Sequence, residues 1–322
     1  MRRVLVTGGT GFVGKALLTS LVARGHLVRA TTRGPLRSDP AVEWTRCDVG
    51  VRADLERALD GVSVACFLVH EMGGGRRDYA AAEAKTARLF RDVAAEKGVQ
   101  RIVYLGGVAP VSAPSTHLAS RLQVGEVLRS GPVTTLELRA SMIVGAGSVS
   151  WQIIRDLSLR LPVMLLPSWT SSTTCPVAIE DVVTALVGAL DLPLLESRCF
   201  DIPGPQSLSG SELVMRTARL QGRHVPSFKV PFMSVSLSSW CLRLVTSADF
   251  SLARELVLGF TSDLLPKDDR YWALIGAPTR VPFDLAAMRA LSTERFDPTL
   301  RGVAGQLGEA LVAVVGRRLA RR

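Results

Sequence analysis

The sequence predicts an α/β protein built on a doubly wound parallel sheet, with a smaller, mostly helical region towards the carboxyl end. Three observations carry that expectation. Short β-branched runs alternate with helix-spaced apolar stretches up to about residue 140. A glycine cluster follows the first run and opens the first helix pattern. From Ser209 onward the pattern turns helical, with Pro226, Pro231, Pro266, Pro278 and Pro282 marking the joins.

Taken in order, the β-patterned runs predict strands at 3–7, 27–32, 42–46, 62–69, 101–106 and 133–138. Helices are expected between them at 12–24, 52–59, 78–97 and 116–129, the third carrying Tyr79, Ala82, Thr86, Leu89, Phe90 and Val93 at helix spacing. Beyond Gly145-Ala146-Gly147 the reading is a helix at 149–160, a proline-bounded strand at 163–166, a helix at 180–190 and a strand at 198–202, the last two rejoining the sheet. Helices at 209–221, 233–246, 250–260, 284–291 and 303–320 complete the chain. This divides it into a core over 1–150, joined by 175–203, and a helix-rich substrate or lid region over 151–174 and 204–322.

Composition narrows the class. With 47% hydrophobic and 21% charged residues over 322 positions, the chain can bury a large core, which excludes disordered and disulfide-scaffold classes. Cys47, Cys66, Cys175, Cys199 and Cys241 lie far apart with no clustered histidines, so free thiols in a reducing cytoplasm are expected and no metal site. Met1-Arg2-Arg3 leads straight into strand-like Val4-Leu5-Val6, unlike a signal peptide. The uncharged run Leu161 to Ile179 is broken by three prolines, so no transmembrane helix is expected. The net charge of +10 comes from arginines scattered along the chain without a nucleic-acid-binding pattern, and no nucleic-acid partner is expected.

The strongest local signal is Thr7-Gly8-Gly9-Thr10-Gly11-Phe12-Val13-Gly14 between strand and helix. Gly8 permits the tight turn, Gly11 lets backbone approach a pyrophosphate, and Gly14 allows close helix-to-strand packing. The helix amides and dipole then face the phosphates, the mark of a Rossmann-like dinucleotide site. Thr7, Thr10, Phe12 and Val13, with Leu68, Val69 and Gly106 at later strand ends, are expected to line the same seat. The second strand ends at Arg33, where an NAD site usually places an acid; a guanidinium there can fork onto a 2'-phosphate, favouring NADPH over NADH, or simply be solvated. Asp48 either accepts from the adenine amino group or serves its own loop.

These residues, with Arg101 to Gly107, Leu138-Arg139, Cys175 to Val182 and Phe200 to Pro205, resemble the extended and atypical branch of the short-chain dehydrogenase/reductase superfamily over about two thirds of the chain. Phe67 to Met72, Ser120-Arg121 and Val124-Gly125-Glu126 resemble NAD(P)H-binding proteins related to NmrA and to the mitochondrial complex I accessory subunit. The resemblance implies a seven- or eight-stranded sheet. It also implies a serine after the fifth strand and a Tyr-x-x-x-Lys pair on the next helix, and the sequence departs there, with Gly106-Gly107 and His117-Leu118-Ala119-Ser120-Arg121 in their place.

His117 and Arg121, four apart, share a helix face. His117 can donate a proton to a carbonyl receiving hydride, with Arg121 lowering its pKa and anchoring ribose, or the two are a surface histidine and a solvated arginine. His70, at the end of the fourth strand before Gly73-Gly74-Gly75, is a second candidate by position, or caps its own turn. Arg139 either supports the loop carrying Ser141 or pairs with an acidic neighbour. Trp151, Trp169, Phe232, Trp240 and Trp272 either line an apolar substrate cavity or pack the core. The helix ending Arg317-Arg318-Leu319-Ala320-Arg321-Arg322 docks on its own domain or touches an anionic membrane. The leading expectation is an NADPH-dependent oxidoreductase acting on a mainly apolar small molecule, and the rival is a redox-silent NADP(H)-binding sensor or assembly subunit. An isomerase or dehydratase using bound nucleotide is a third.

Overall fold

A computed structural model describes residues 1–70, 79–110, 114–230, 262–277 and 279–294. Six strands alternate with helices up to residue 140: β1 (Arg3–Val6), β2 (Leu27–Thr32), β3 (Val42–Arg46), β4 (Val64–Phe67), β5 (Arg101–Gly107) and β6 (Thr134–Ala140). A seventh strand, Arg198–Asp201, pairs with β6 at the edge. The spatial order is β3, β2, β1, β4, β5, β6 and then the seventh strand, and every pairing is parallel. Such strands are covered on both faces, which is why β1 reads as an unbroken apolar run with Val4, Leu5 and Val6 fully buried.

The crossover helices supply the two covers. α1 (Phe12–Ala23) and α6 (Ile179–Asp191) pack on one face with Leu17, Leu21, Val182 and Leu186 in the core. α2 (Arg52–Ala58), α3 (Tyr79–Glu96) and α4 (Thr116–Arg129) cover the other, centred on Phe90, Val93 and Leu128. The chain winds outward from β1 through β2 and β3, then returns to β4. The crevice at the carboxyl ends of β1 and β4 is therefore the place where such a sheet binds ligands.

A third core lies between α5 (Val149–Arg160), α7 (Gly210–Leu220) and the helix Phe283–Glu294, around fully buried Trp151. Residues Met164–Leu166 form a short parallel pair with Ser227–Lys229 apart from the main sheet. Trp272 is buried and its Nε1 donates to the Pro203 carbonyl, while Trp151 Nε1 donates to Glu294; both pack the core, and neither lines the cleft. The expected helices at 233–246, 250–260 and 303–320, with Phe232, Trp240 and the basic carboxyl end, fall outside the described residues, as does the Trp169 side chain.

Two buried charges are built into the frame. Arg29, in the middle of β2, pairs with Glu43 and donates to the carbonyls of Arg57, Ala58 and Asp60, closing the carboxyl end of α2. Glu137 on β6 is fully buried between Arg129 and Arg139, which answers the Arg139 question in favour of an acidic neighbour. Among the described cysteines, Cys47, Cys66 and Cys175 are buried free thiols and Cys199 is a half-buried one. Among the described residues no helix is long and apolar enough to cross a membrane, and no group of side chains could hold a metal ion.

Candidate active site

Between β1 and α1 the backbone turns with Gly8 at φ +69°, in the left-handed region that glycine enters without strain. The Gly8 amide donates to Thr31 Oγ1 at 3.2 Å. Thr7 is fully buried; its hydroxyl donates to the Cys66 carbonyl and accepts from the Leu68 amide, clamping the ends of β1 and β4 together. A Cβ at Gly14 would stand 2.3 Å from the Gly8 carbonyl oxygen, so the helix could not seat this closely on the turn with any other residue there.

Gly11 caps α1 in extended conformation, without a side-chain acceptor and with no acid in the first turn. The opening amides of this 12-residue helix thus meet no carboxylate from their own cap or first turn, and its positive end faces the crevice. Donor set, dipole and absent side chains suit the diphosphate of a dinucleotide. Gly11→Asp tests this. A carboxylate at the cap should change stability by no more than a few tenths of a kcal/mol, while repelling phosphate and weakening dinucleotide binding by about a hundredfold; thermal melts and calorimetry read the two effects.

The turn forms one wall of a cleft of about 350 Å³. Gly8, Gly11, Phe12, Val13 and Gly14 line it on that side, Leu68, Val69 and His70 from the end of β4, and Gly106, His117 and Arg121 from β5 and α4. The fold thus gathers eleven of the residues expected to serve the site. Thr7 and Thr10 shape the turn from behind the lining, and Arg33 and Asp48 lie beyond the ends of β2 and β3. Arg33 is exposed. Asp48 Oδ1 accepts from the Gly50 amide at 2.9 Å, which serves its own loop.

At Gly107, where the resemblance implies a serine, a Cβ would lie 2.6 Å from Leu118 Cδ1, so that side chain would have to shift, and 3.7 Å from Arg121 Cδ and Nε. Arg121 Nη2 donates to the Leu105 carbonyl at 2.6 Å, which fixes the guanidinium against β5, while its Nε is buried with no hydrogen-bond partner among the described residues. That orphaned donor, at the cleft wall, fits a ribose hydroxyl. Tyr104 is core: its hydroxyl donates to the Arg121 carbonyl, and burial raises its pKa.

His70 and His117, separated by 47 residues, meet in the cleft. His70 Nε2 lies 3.2 Å from His117 Nδ1, and the rings tilt at 57° with centroids 4.7 Å apart. On its far side His70 Nδ1 meets Glu83 Oε1 at 2.6 Å, and the Ser120 hydroxyl donates to Glu83 Oε2. The His117 pKa is pushed down to about 3 by burial first, then by His70 and Arg121, with Glu83 opposing. The sign expected from Arg121 is present, but loss of solvent is the larger cause.

Glu83 has no counterpart in the sequence reading. Its signal is a carboxylate in register with Ala87, Phe90 and Ala94 on the buried stripe of α3. Ser115, Ser141, Ser148 and Leu264 also line the cleft without having been singled out as site residues.

Comparison with known proteins agrees with this geometry. A family described as NAD(P)H-binding matches residues 8–159, spanning the glycine turn, His70, Glu83, His117 and Arg121. Just under half of the chain is thus matched to an NAD(P)H-binding family. It is 36% identical over 114 residues to a 3 beta-hydroxysteroid dehydrogenase/Delta 5-->4-isomerase of Mycobacterium tuberculosis, across 32% of this chain and 30% of that one. The chain therefore spans less than a third of that curated relative's length. A 3-diazoavenalumate denitrifying reductase of a Streptomyces species is 28% identical over 274 residues, covering 74% of this chain and 88% of that one. The fold matches MoeE5, solved in complex with UDP-glucose and NAD, with a TM-score of 0.68 at 18% identity over 91% of this chain and 99% of that one.

Proposed function

We propose that this protein is an atypical member of the short-chain dehydrogenase/reductase superfamily, an NADPH-dependent oxidoreductase that reduces a mainly apolar small organic substrate, with His117 as the proton donor and Arg121 as the ribose and electrostatic anchor. One observation carries the reading: the uncapped glycine turn and His117 open on a single cleft. The dehydrogenase and reductase relatives support the reaction class. When bound, the coenzyme supplies hydride from its nicotinamide. The amides opening α1 hold the diphosphate, and Arg121 Nε supplies a donor for a ribose hydroxyl. His117, neutral by burial, presents an imidazole to the oxygen on which charge develops.

Leu68, Val69, Leu105, Val108, Ile143 and Leu264 make the cleft wall largely apolar, which favours a hydrophobic carbonyl or enone over a sugar. The buried free thiols support a reducing cytoplasmic setting.

Arg33, exposed where β2 ends, is assigned to the 2'-phosphate. Arg33→Asp is expected to weaken NADPH by about 2 kcal/mol, the scale of a charge-assisted contact, and to leave NADH binding nearly unchanged; equal affinities of the native protein for both would remove the assignment. The function is tested by titrating NADPH and then monitoring its oxidation against a panel of apolar ketones, enones and quinones. Turnover supports the reading. Tight binding with no oxidation anywhere on the panel would instead identify the redox-silent binder.

A further inference from the structure

We infer that Glu83 and His70 are positioning residues that set the proton on His117, so that His117 passes it at Nε2 while the relay's positive charge resides on His70. The inference rests on His117 being the donor. It starts from the burial of Glu83, whose side chain is 6% exposed on the inner stripe of α3. An ionised carboxylate there is costly unless its oxygens are engaged, and both are: Oε1 by His70 Nδ1 and Oε2 by the Ser120 hydroxyl. Glu83 therefore keeps a hydrogen on His70 Nδ1, and the tautomer follows from the partners.

Only one proton can lie between His70 Nε2 and His117 Nδ1 at 3.2 Å, which leaves two arrangements. In one, His70 is neutral and accepts from His117 Nδ1–H, so His117 Nε2 is a bare acceptor. In the other, His70 is an imidazolium beside Glu83 and donates to His117 Nδ1, so His117 Nε2 carries hydrogen. His117 is neutral in both. Among the described residues, the charged groups that act on His117 besides His70 are Glu83 from α3 and Arg121 from α4. Positive charge is thus favoured on His70, next to the carboxylate, and disfavoured on His117, next to the guanidinium, in keeping with the depressed basicity of His117.

In the reducing direction, with a bound coenzyme supplying the hydride to carbon, the substrate oxygen would take the proton from His117 Nε2. The N–H bond at Nε2 breaks and an O–H bond forms. His117 Nδ1 then takes the proton from His70 Nε2, and His70 ends neutral, still donating to Glu83. One hydride and one proton enter the carbonyl, and one positive charge leaves His70.

Four histidines make the test readable. Ring-nitrogen NMR of the full chain, without coenzyme or substrate, should show His70 protonated at Nδ1 and gaining its second proton before His117 does. In Glu83→Gln the His70 titration should fall by about one pH unit. In a substrate that turns over, the loss of rate on the alkaline side should move down with it and kcat should drop at least about tenfold, with NADPH affinity unchanged. Ser120→Ala, which removes only the outer hydroxyl, should leave the His70 tautomer in place and serves if Glu83→Gln does not fold. His70 hydrogenated at Nε2 alone, or an unmoved His70 titration in Glu83→Gln, would overturn the relay. Because the NMR needs no turnover, a correct tautomer in a protein inert to every substrate would reject the oxidoreductase reading while leaving the proton arrangement standing.

Discussion

His117→Phe is expected to lower kcat by between about 10²- and 10⁴-fold, the range for removing a positioned general acid, with NADPH affinity altered less than about threefold. The phenyl ring fills the space against His70 and Leu118 but brings no hydrogen to the developing oxygen. Arg121 cannot take over, since its guanidinium holds its protons at any working pH. The same variant has a signature in stability. The folded His117 titrates near 3 because burial opposes its charge, whereas an unfolded histidine titrates near 6.5. Between those values the unfolded chain binds the extra proton, so wild-type stability falls as pH drops, with a limiting slope of about 1.4 kcal/mol per pH unit. The phenylalanine variant lacks that contribution, and urea midpoints measured across pH 4 to 7 should show a shallower acid decline.

The largest structural loss is expected from Glu137→Ala, at about 3–5 kcal/mol. Glu137 receives Arg129 Nε at 2.7 Å on one oxygen and Arg139 Nε at 2.8 Å on the other, and its side chain is fully buried. Truncation would leave two guanidiniums facing each other without their common anion. The surrounding chain is shaped to this carboxylate: a Cβ on Gly125 would come within 2.4 Å of it, and one on Gly106 within 2.9 Å. Gly106 stands on the cleft wall, so this cluster also holds the end of β5 where the site is built. Denaturant unfolding measures the loss; a midpoint within 0.5 kcal/mol of wild type, roughly the scatter of surface substitutions, would show that the two arginines find other partners.

Much of this architecture was legible because the chain punctuates itself. Helices at 116–129 and 149–160 and strands at 27–32 and 42–46 stand where hydrophobic period and turn residues place them. Gly8, Gly11 and Gly14 were legible for a different reason, since each occupies a position where a side chain would collide or block an approach. Less could be read inside α3. Of the expected stripe Tyr79, Ala82, Thr86, Leu89, Phe90 and Val93, Phe90 and Val93 are buried, but the rest of the inner face is Glu83, Ala84, Ala87 and Ala94. Alanines fit either face, so the period alone did not select the stripe holding a carboxylate. The meeting of His70 with His117 depends on two strand-end loops converging, a tertiary fact that no local spacing encodes. Arg29 in mid-strand likewise reads as an oddity until the carboxyl end of α2 arrives to use its donors.

A calorimetric titration of the native protein and Gly11→Asp with each pyridine coenzyme tests the diphosphate seat. One molecule of NADPH should bind per chain, more tightly than NADH, with nearly no heat from an equally well-folded Gly11→Asp. Native protein that takes up neither coenzyme, or a variant that binds as the native protein does, would show that the turn from Thr7 to Gly14 holds no dinucleotide.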